Sequence, residues 1–527
     1  MGFYLNPPAD DFVAVLNTGL YVDKTQLIQY TNSVLNSAMK LTCVSRPRRF
    51  GKSFAAKMLA AYYSKGANSK ELFQNLKIAK SKEFAKHLNR YDVLSLDITW
   101  FISNAPSIRD TVTDMQKYVI EELREVYPDC ISSNISTLPM ALAQIGSRTG
   151  TKFFIIIDEW DALFREAKDD IELQKSYLQL LRGLFKGMQI SQFVIGAYMT
   201  GILPIKKYGT QSALTDFFEY TMIEPGTLAE YVGFTEKEVR QLCEEHSLDY
   251  EEASTWYDGY QLGTVGHVYS PNSIIKAIYN KRFSNYWTQT ETYESLKIYI
   301  DMDFDGLKTA IVNMLGGGRC VIDTGTFQND MTSLKSKDDV FTLLVHLGYL
   351  AYDADKKEVF IPNEEVREEF IRAIKNGGRP ELVKAVLTSD ELLAATLRMD
   401  SETVAKLIDE AHSANTAPNF YNNEQALRSV ILMAYLSSVD HYSKIQELTS
   451  GTGYADIMFL PNRGSDKPVM IVELKWNKTS DGAIAQIKDR KYAQALENYG
   501  GDILLVGINY DVKSKKHQCT IENIKKY

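Results

Sequence analysis

Three apolar runs in the first two hundred residues constrain this chain most: "MKLTCV" at Met39–Val44, "KFFIIIDE" at Lys152–Glu159 and "SQFVIGAYMTG" at Ser191–Gly201. Their apolar residues are continuous rather than alternating, the pattern of strands buried on both faces. Between them lie stretches such as "SIRDTVTDMQKYVIEELREVY" and "ELQKSYLQLLRGLFKGM", in which apolar residues recur at three and four. Alternating strands and helices predict an α/β fold, a parallel sheet with helices on both faces. In such sheets ligands bind beyond the C-terminal strand ends.

At 527 residues the chain is too long for one hydrophobic core, and three or four domains are expected. With 45% hydrophobic and 24% charged residues, and no long polar or repetitive tract, composition argues against disorder and against a repeat array. The start, "MGFYLNPPADDF", has no basic region followed by an apolar stretch, and no apolar run approaches the roughly 20 residues needed to cross a bilayer. A cytoplasmic protein with no membrane partner is expected. The five cysteines, at 43, 130, 243, 320 and 519, form no CxxC pair and read as reduced and buried. A net charge of −8 weighs against non-specific coating of nucleic acid, although basic clusters gather at Lys488–Lys491, Lys513–Lys516 and Lys525–Lys526.

The first apolar run leads into "SRPRRFGKS", Ser45–Ser53, and then into "FAAKMLAAYY", which reads as a helix. A triphosphate needs backbone NH donors, a cation and a liganded magnesium ion. Gly51 allows close backbone approach, Lys52 reaches terminal phosphates and Ser53 at the helix start ligates Mg2+, so the stretch reads as a P-loop. Arg46 stands where such loops usually have their first glycine. It is followed by Pro47, Arg48, Arg49 and Phe50, which make the loop stiff and basic. The second run delivers Asp158 and Glu159 to its end: Asp158 to hold the magnesium through water, Glu159 to polarise the attacking water. The third ends in "MTG", where Thr200 is placed to sense the terminal phosphate. No arginine is marked out by spacing as an arginine finger, and Arg182 in "LLRGLF" is only a candidate.

The first half resembles a family of bacterial proteins described as AAA-ATPase-like. The resemblance rests on "YVDKTQLI" at Tyr21–Ile28, "SRPRRFGKS", "IIIDEWDALF", "MTGILPI", "WYDGYQLG" and "VYSPNSII". In that family the loop is characteristically "RPRRFGKS", so the resemblance makes Arg46 a family trait and implies ATP as the ligand, with residues 46–53, Asp158 and Thr200 around it.

In the middle, "GFTEKEVRQLCEEHSLDYEEASTWYDGY" starts a helix at Thr235 and predicts a small helical lid. Its aromatics, Trp256, Tyr257, Tyr260 and Tyr269, read as core, with stacking on a base as the alternative. The segment "DDVFTLLVHLGYLAYDADKKEVFIPNEEVREEFIRAI" predicts helix, strand, turn, strand, helix, a winged-helix-like order, with His346 as a packed helix residue.

Near the C-terminus, "ADIMFLP" and "PVMIVELKW" predict a hairpin. Glu473 and Lys475, two apart on one strand, face the same side, Leu474 points into the opposite layer, and Asp456 on the partner strand approaches the pair. Two carboxylates and a lysine suit magnesium-dependent phosphodiester cleavage: Asp456 and Glu473 hold the metal, and Lys475 orients or deprotonates the attacking water. The spacing resembles the PD-(D/E)XK nuclease superfamily, an α/β restriction-endonuclease-like fold. That resemblance adds Gln486 and Lys491 on a downstream helix and Glu424 upstream as a further metal-binding acid. Tyr454 stands where family members often carry an arginine, which weakens phosphate gripping.

The expected organisation is therefore an ATPase domain at 1–225, a lid at 226–300, a winged-helix-like element at 301–385 and a nuclease-like domain with its helical connection at 386–527. The expected function is an ATP- and Mg2+-dependent ATPase whose nucleotide state controls cleavage of DNA or RNA, as a possible homo-oligomer. The alternative is a nucleotide-controlled protein that recognises nucleic acid or a protein partner without cutting.

Overall fold

In a computed structural model, residues 2–205, 207–208, 211–212, 214–287, 293–302, 304–328, 334–376, 380–415, 427–428, 430–431, 434–435, 437–438, 441–450, 453–461, 465, 467–489 and 501–524 are described. The chain divides into two compact units, Met1–Thr290 with Val321–Glu365, and Glu291–Cys320 with Val366–Tyr527.

The first unit is built on five parallel strands: β1 (Leu41–Ser45), β2 (Asp92–Asp97), β3 (Phe153–Asp158), β4 (Val194–Gly201) and β5 (Phe218–Tyr220), in spatial order β2-β3-β4-β1-β5. Its helices include α1 (Gln26–Val34), α2 (Lys52–Tyr63), α3 (Ile98–Asn104), α4 (Thr111–Val126), α5 (Leu138–Thr149), α6 (Ala162–Glu166) and α7 (Ile171–Phe185). Ile155 and Ile157 pack into one core cluster with Met115 and Val119 of α4, Leu142 of α5 and Leu181 of α7. On the opposite face the ring of Phe154 lies 4.4 Å from that of Tyr63 in α2, and Tyr63 bonds Thr31 and Asn32 of α1. Continuous apolar strands are thus covered on both faces, as their sequences require. β1, β3 and β4 are the three runs read from sequence.

Beyond the sheet come β6 (Phe234–Thr235), α8 (Glu236–His246), α9 (Tyr250–Tyr257), β7 (Tyr260–Leu262), β8 (Gly266–Tyr269) and α10 (Pro271–Asn280). The expected helix start at Thr235 is a capping box: Thr235 Oγ1 accepts from the Glu238 backbone NH, and Glu238 accepts from that of Thr235. The segment expected as a helical lid is not only helical, since β6, β8 and β7 form an antiparallel sheet. Lys24 of the "YVDKTQLI" stretch ties it to the sheet domain, its Nζ 2.5 Å from Glu238.

The expected helix, strand, turn, strand, helix order is found in α11 (Lys337–Leu347), β9 (Ala351–Asp353), β10 (Glu358–Phe360) and α12 (Glu364–Lys375). His346 is buried in α11 against the ring of Phe327. Residues 321–365 belong with the first unit, so the segment 301–385 is shared between the two units rather than standing apart.

The second unit contains α13 (Pro380–Leu397), α14 (Ser401–Asn415), β11 (Tyr442–Ser450), β12 (Gly453–Pro461), β13 (Val469–Trp476), α15 (Ser480–Asp489), β14 (Ile503–Asp511) and β15 (Lys516–Ile524). The strands lie in chain order, and only β13 and β14, joined across α15, run parallel. Val472 and Leu474 pack with Leu392 of α13 and Ile408 of α14; Ile471 packs with Ile484 and Ile487 of α15. Among the described residues no helix is long and apolar enough to cross a membrane.

Candidate functional site

The first site forms where β1, β3 and β4 end. The loop after β1 turns through two left-handed residues, Arg49 (φ 67°) and Gly51 (φ 92°), and Gly51 caps α2. Glycine reaches that conformation without steric cost, whereas a side chain with a Cβ there is strained. Lys52 is buried; its Nζ donates to the Pro47 carbonyl at 3.0 Å and lies 3.6 Å from Glu159 Oε1. Asp158 Oδ1 accepts from the Glu159 backbone NH at 3.0 Å and from Thr200 Oγ1 at 3.2 Å. Burial raises the Asp158 carboxyl above the usual aspartate range, opposed by a hydrogen bond from Ser53 and the charge of Lys52, and reinforced by Asp97. Ser53, Asp158, Glu159 and Thr200 therefore converge with Lys52 as expected.

Arg46 does not join them through its side chain. It was expected among the nucleotide-binding residues, but its guanidinium is 0% exposed and turned into the sheet, where Nη1 donates to the carbonyls of Ser45 (2.9 Å) and Tyr220 (3.1 Å). Burial pushes its pKa down to about 10. The arginine in the first glycine's place is a strut joining β1 to β5, and only its backbone stays in the loop. Pro47 and Phe50 are also buried. Phe50 sits edge-on to Tyr260 at 5.3 Å, and the Tyr260 hydroxyl donates to Gly348 O at 2.6 Å. Gly348, left-handed at φ 88°, leaves room for Pro47, which would lie 2.7 Å from any Cβ there. The basic side chains toward solvent are Arg48, half-buried, and Arg49, exposed; Arg182 is exposed on α7.

Sequence reading missed two residues. Asp97 ends β2 directly beside Asp158 in the sheet register, caps α3 through the backbone NH groups of Thr99 and Trp100, and is raised in pKa by burial. Its signal was present, since "DVLSLD" is an apolar run ending in an acid, like "FFIIID". Arg165, six residues after Glu159, bonds Glu159 Oε2 at 2.5 Å. Of the four aromatics expected as core, Tyr257, Tyr260 and Tyr269 are buried with their hydroxyls bonded to Ser284 O, Gly348 O and Tyr250, and Trp256 is half-buried.

The second site is on β13. Glu473 is 1% exposed and Lys475 is buried beside it, with Lys475 Nζ donating to Glu473 Oε1 at 3.0 Å. Gln486 Nε2 on α15 donates to the same oxygen. α15 comes this close because Gly507, opposite Glu473 on β14, has no side chain: a Cβ there would lie 2.4 Å from the Ser480 carbonyl. Leu474 points into the other layer, as expected. Ile457 pairs with Val472, so Asp456 and Glu473 are the next positions along the two strands. The Asp456 side chain, Glu424, and Lys491 lie outside the described residues. Among the described residues no three His, Cys, Asp or Glu side chains are grouped to hold a metal ion.

Residues 9–210 match the family model described as predicted AAA-ATPase, and residues 422–519 match that of the PD-(D/E)XK nuclease superfamily. The chain joins an AAA-ATPase-like domain to a PD-(D/E)XK nuclease superfamily domain. No protein of curated function matches the chain. Among solved structures, the ORC2 protein of Aeropyrum pernix in its ADPNP–ADP complexes is 12% identical, covering 70% of this chain and 92% of its own, with a TM-score of 0.24. PCH-2 of C. elegans is 11% identical, covering 62% and 68%, with a TM-score of 0.19.

The AAA-ATPase-like domain has residue types that could hold a magnesium nucleotide: Ser53 stands in the first turn of α2, Asp158 ends β3, and a buried carboxylate held above its usual pKa is one whose charge a cation would relieve. The sign of the pH effect follows. As pH falls through the raised Asp158 value, a metal bound there would have to displace a proton, so any affinity for magnesium nucleotide is expected to fall toward acid pH, from a higher pH than an ordinary aspartate would give. Titration calorimetry across pH checks this, and Asp158→Asn removes the dependence.

Proposed function

We propose that ATP binding and hydrolysis in the AAA-ATPase-like domain control metal-dependent phosphodiester cleavage of DNA or RNA by the nuclease-superfamily domain. The observation that supports it best is that each site already holds a buried lysine against a carboxylate, Lys52 near Glu159 just past the end of β3 and Lys475 on Glu473 within β13. A lysine so placed exchanges its carboxylate for an incoming phosphate oxygen without being desolvated anew.

In the first site, backbone NH groups of residues 48–51 and the Lys52 ammonium bind the phosphates, Ser53 and Asp158 hold Mg2+, Thr200 fixes Asp158, and Glu159 takes the proton of the attacking water. In the second, Glu473 and Asp456, with Glu424, are the metal-binding acids, Lys475 orients the water, and Gln486 fixes the Glu473 carboxylate. A bound divalent ion supplies charge neutralisation at the scissile phosphate.

A route for nucleotide control starts at the loop itself. Pro47 and the Trp287 ring both pack around Gly348, and the backbone NH groups of Tyr286 and Trp287 donate to Glu365 at 2.7 and 3.0 Å. Glu365 is the second residue of α12, whose chain continues into the second unit. Withdrawal of Lys52 from the Pro47 carbonyl on phosphate binding acts at the head of this series.

The test is to incubate the full chain with Mg2+ and single- or double-stranded DNA or RNA, in the presence of ATP, ADP, a non-hydrolysable ATP analogue or no nucleotide. Cleavage that needs the divalent ion and changes at least about tenfold between nucleotide states is expected. Cleavage indifferent to nucleotide removes the control. Nucleotide-dependent binding without cleavage favours recognition alone.

A further inference from the structure

Glu159 is held on two sides by cations of different character. Its Oε1 faces Lys52 at 3.6 Å, a contact that a triphosphate would replace; its Oε2 meets Arg165 Nη2 at 2.5 Å. Arg165 cannot swing away easily, because its Nε bonds Asp161 Oδ2 at 3.1 Å and its side chain is only 10% exposed. Asp161 is in turn fully buried and accepts from the backbone NH groups of Ile202 (3.2 Å) and Leu203 (2.9 Å), just past the end of β4. Gly201 makes that approach possible, since a Cβ there would lie 2.5 Å from Trp160 and 2.6 Å from Asp161. Glu159 itself has a left-handed backbone, φ 52°, a strained conformation for glutamate. Strain of this kind persists where surrounding contacts over-determine it, and the Asp161–Arg165 pair supplies those contacts.

We infer that Arg165 is a positioning residue for ATP hydrolysis: anchored by Asp161 to the end of β4, it holds one oxygen of Glu159 and leaves the other directed to the Lys52 side, where the attacking water must lie. This rests on the reading of the site as an ATPase. The same bracing ties the strand that carries Thr200 to the residue that activates water, so the two sides of the site keep one geometry.

The experiment compares wild type, Arg165→Met and Arg165→Lys for equilibrium ATP affinity, single-turnover hydrolysis and melting temperature. Arg165→Met lowers the hydrolysis rate about a hundredfold, the cost of a catalytic group displaced by about 1 Å, while ATP affinity is unchanged. Arg165→Lys restores part of the rate, because it keeps the charge at Glu159 but cannot bond Asp161 and Glu159 with a planar fork. Should Arg165→Met fail to fold, Arg165→Lys and Asp161→Asn carry the test, each expected to lose rate and keep affinity. Wild-type turnover in all three variants, or loss of rate and affinity in equal proportion, overturns this inference alone. Absence of hydrolysis in the wild type overturns it together with the ATPase reading.

Discussion

On the proposed ATPase reading, replacing Glu159 with glutamine is expected to leave ATP bound and to lower its hydrolysis about a hundred- to ten-thousandfold, the range contributed by a positioned general base. The substitution keeps the shape of the side chain and one oxygen as acceptor, so contact with Arg165 Nη2 survives. What it loses is the capacity to take a proton from water. Lys52 gives up an ionic neighbour at 3.6 Å and is left freer for phosphate, so affinity for ATP holds or rises. Equilibrium binding beside single-turnover hydrolysis separates the two effects. Hydrolysis at the wild-type rate in Glu159→Gln would assign the base elsewhere, with Asp97, beside Asp158 in the sheet, the next carboxylate to examine.

On the proposed reading of the nuclease-superfamily domain, Glu473→Gln is expected to lower divalent-dependent cleavage sharply. A metal ligand's loss removes several kcal/mol of charge stabilisation at the scissile phosphate, about a hundred- to a thousandfold in rate. Stability complicates the reading, because Lys475 and Glu473 are both buried and paired at 3.0 Å. Removing one partner leaves a buried charge uncompensated, a cost of about 3–5 kcal/mol, whereas replacing both with neutral side chains of similar volume is often close to neutral. The double variant Glu473→Gln, Lys475→Met should therefore melt nearer to the wild type than Glu473→Gln does, and remain inactive. A double variant that regained stability and cleaved nucleic acid would show that the pair serves folding and not chemistry.

The local placement of the candidate residues in both sites was legible because it depends on short spacings. A buried strand ending in Asp158 and Glu159, a loop ending in Gly51, Lys52 and Ser53, and the alternation of Glu473, Leu474 and Lys475 need only the periods of strand and helix to be placed. Arg46 was misread for a physical reason. Four basic and stiff residues in a row look like a phosphate grip, and nothing local shows that the first must turn inward to meet the carbonyl of Tyr220, 174 residues away. Asp97 was passed over because its strand lies between helices with no motif around it, and Arg165 because helix spacing does not disclose that Glu159 bends back toward it.

By itself the sequence determined the element types, the parallel sheet and which candidate polar side chains follow the buried strands, since continuous apolar runs, glycine at a left-handed turn and polar residues at strand ends are each demanded by local sterics and solvation. Only the tertiary structure decided which charges meet. Arg46 under the loop, Arg165 between Glu159 and Asp161, Gln486 over Glu473 through the gap at Gly507, and residues 321–365 gathered with the ATPase-like unit are all long-range outcomes. Buried charges and carbonyls must find partners wherever packing offers them, and packing is a property of the whole chain.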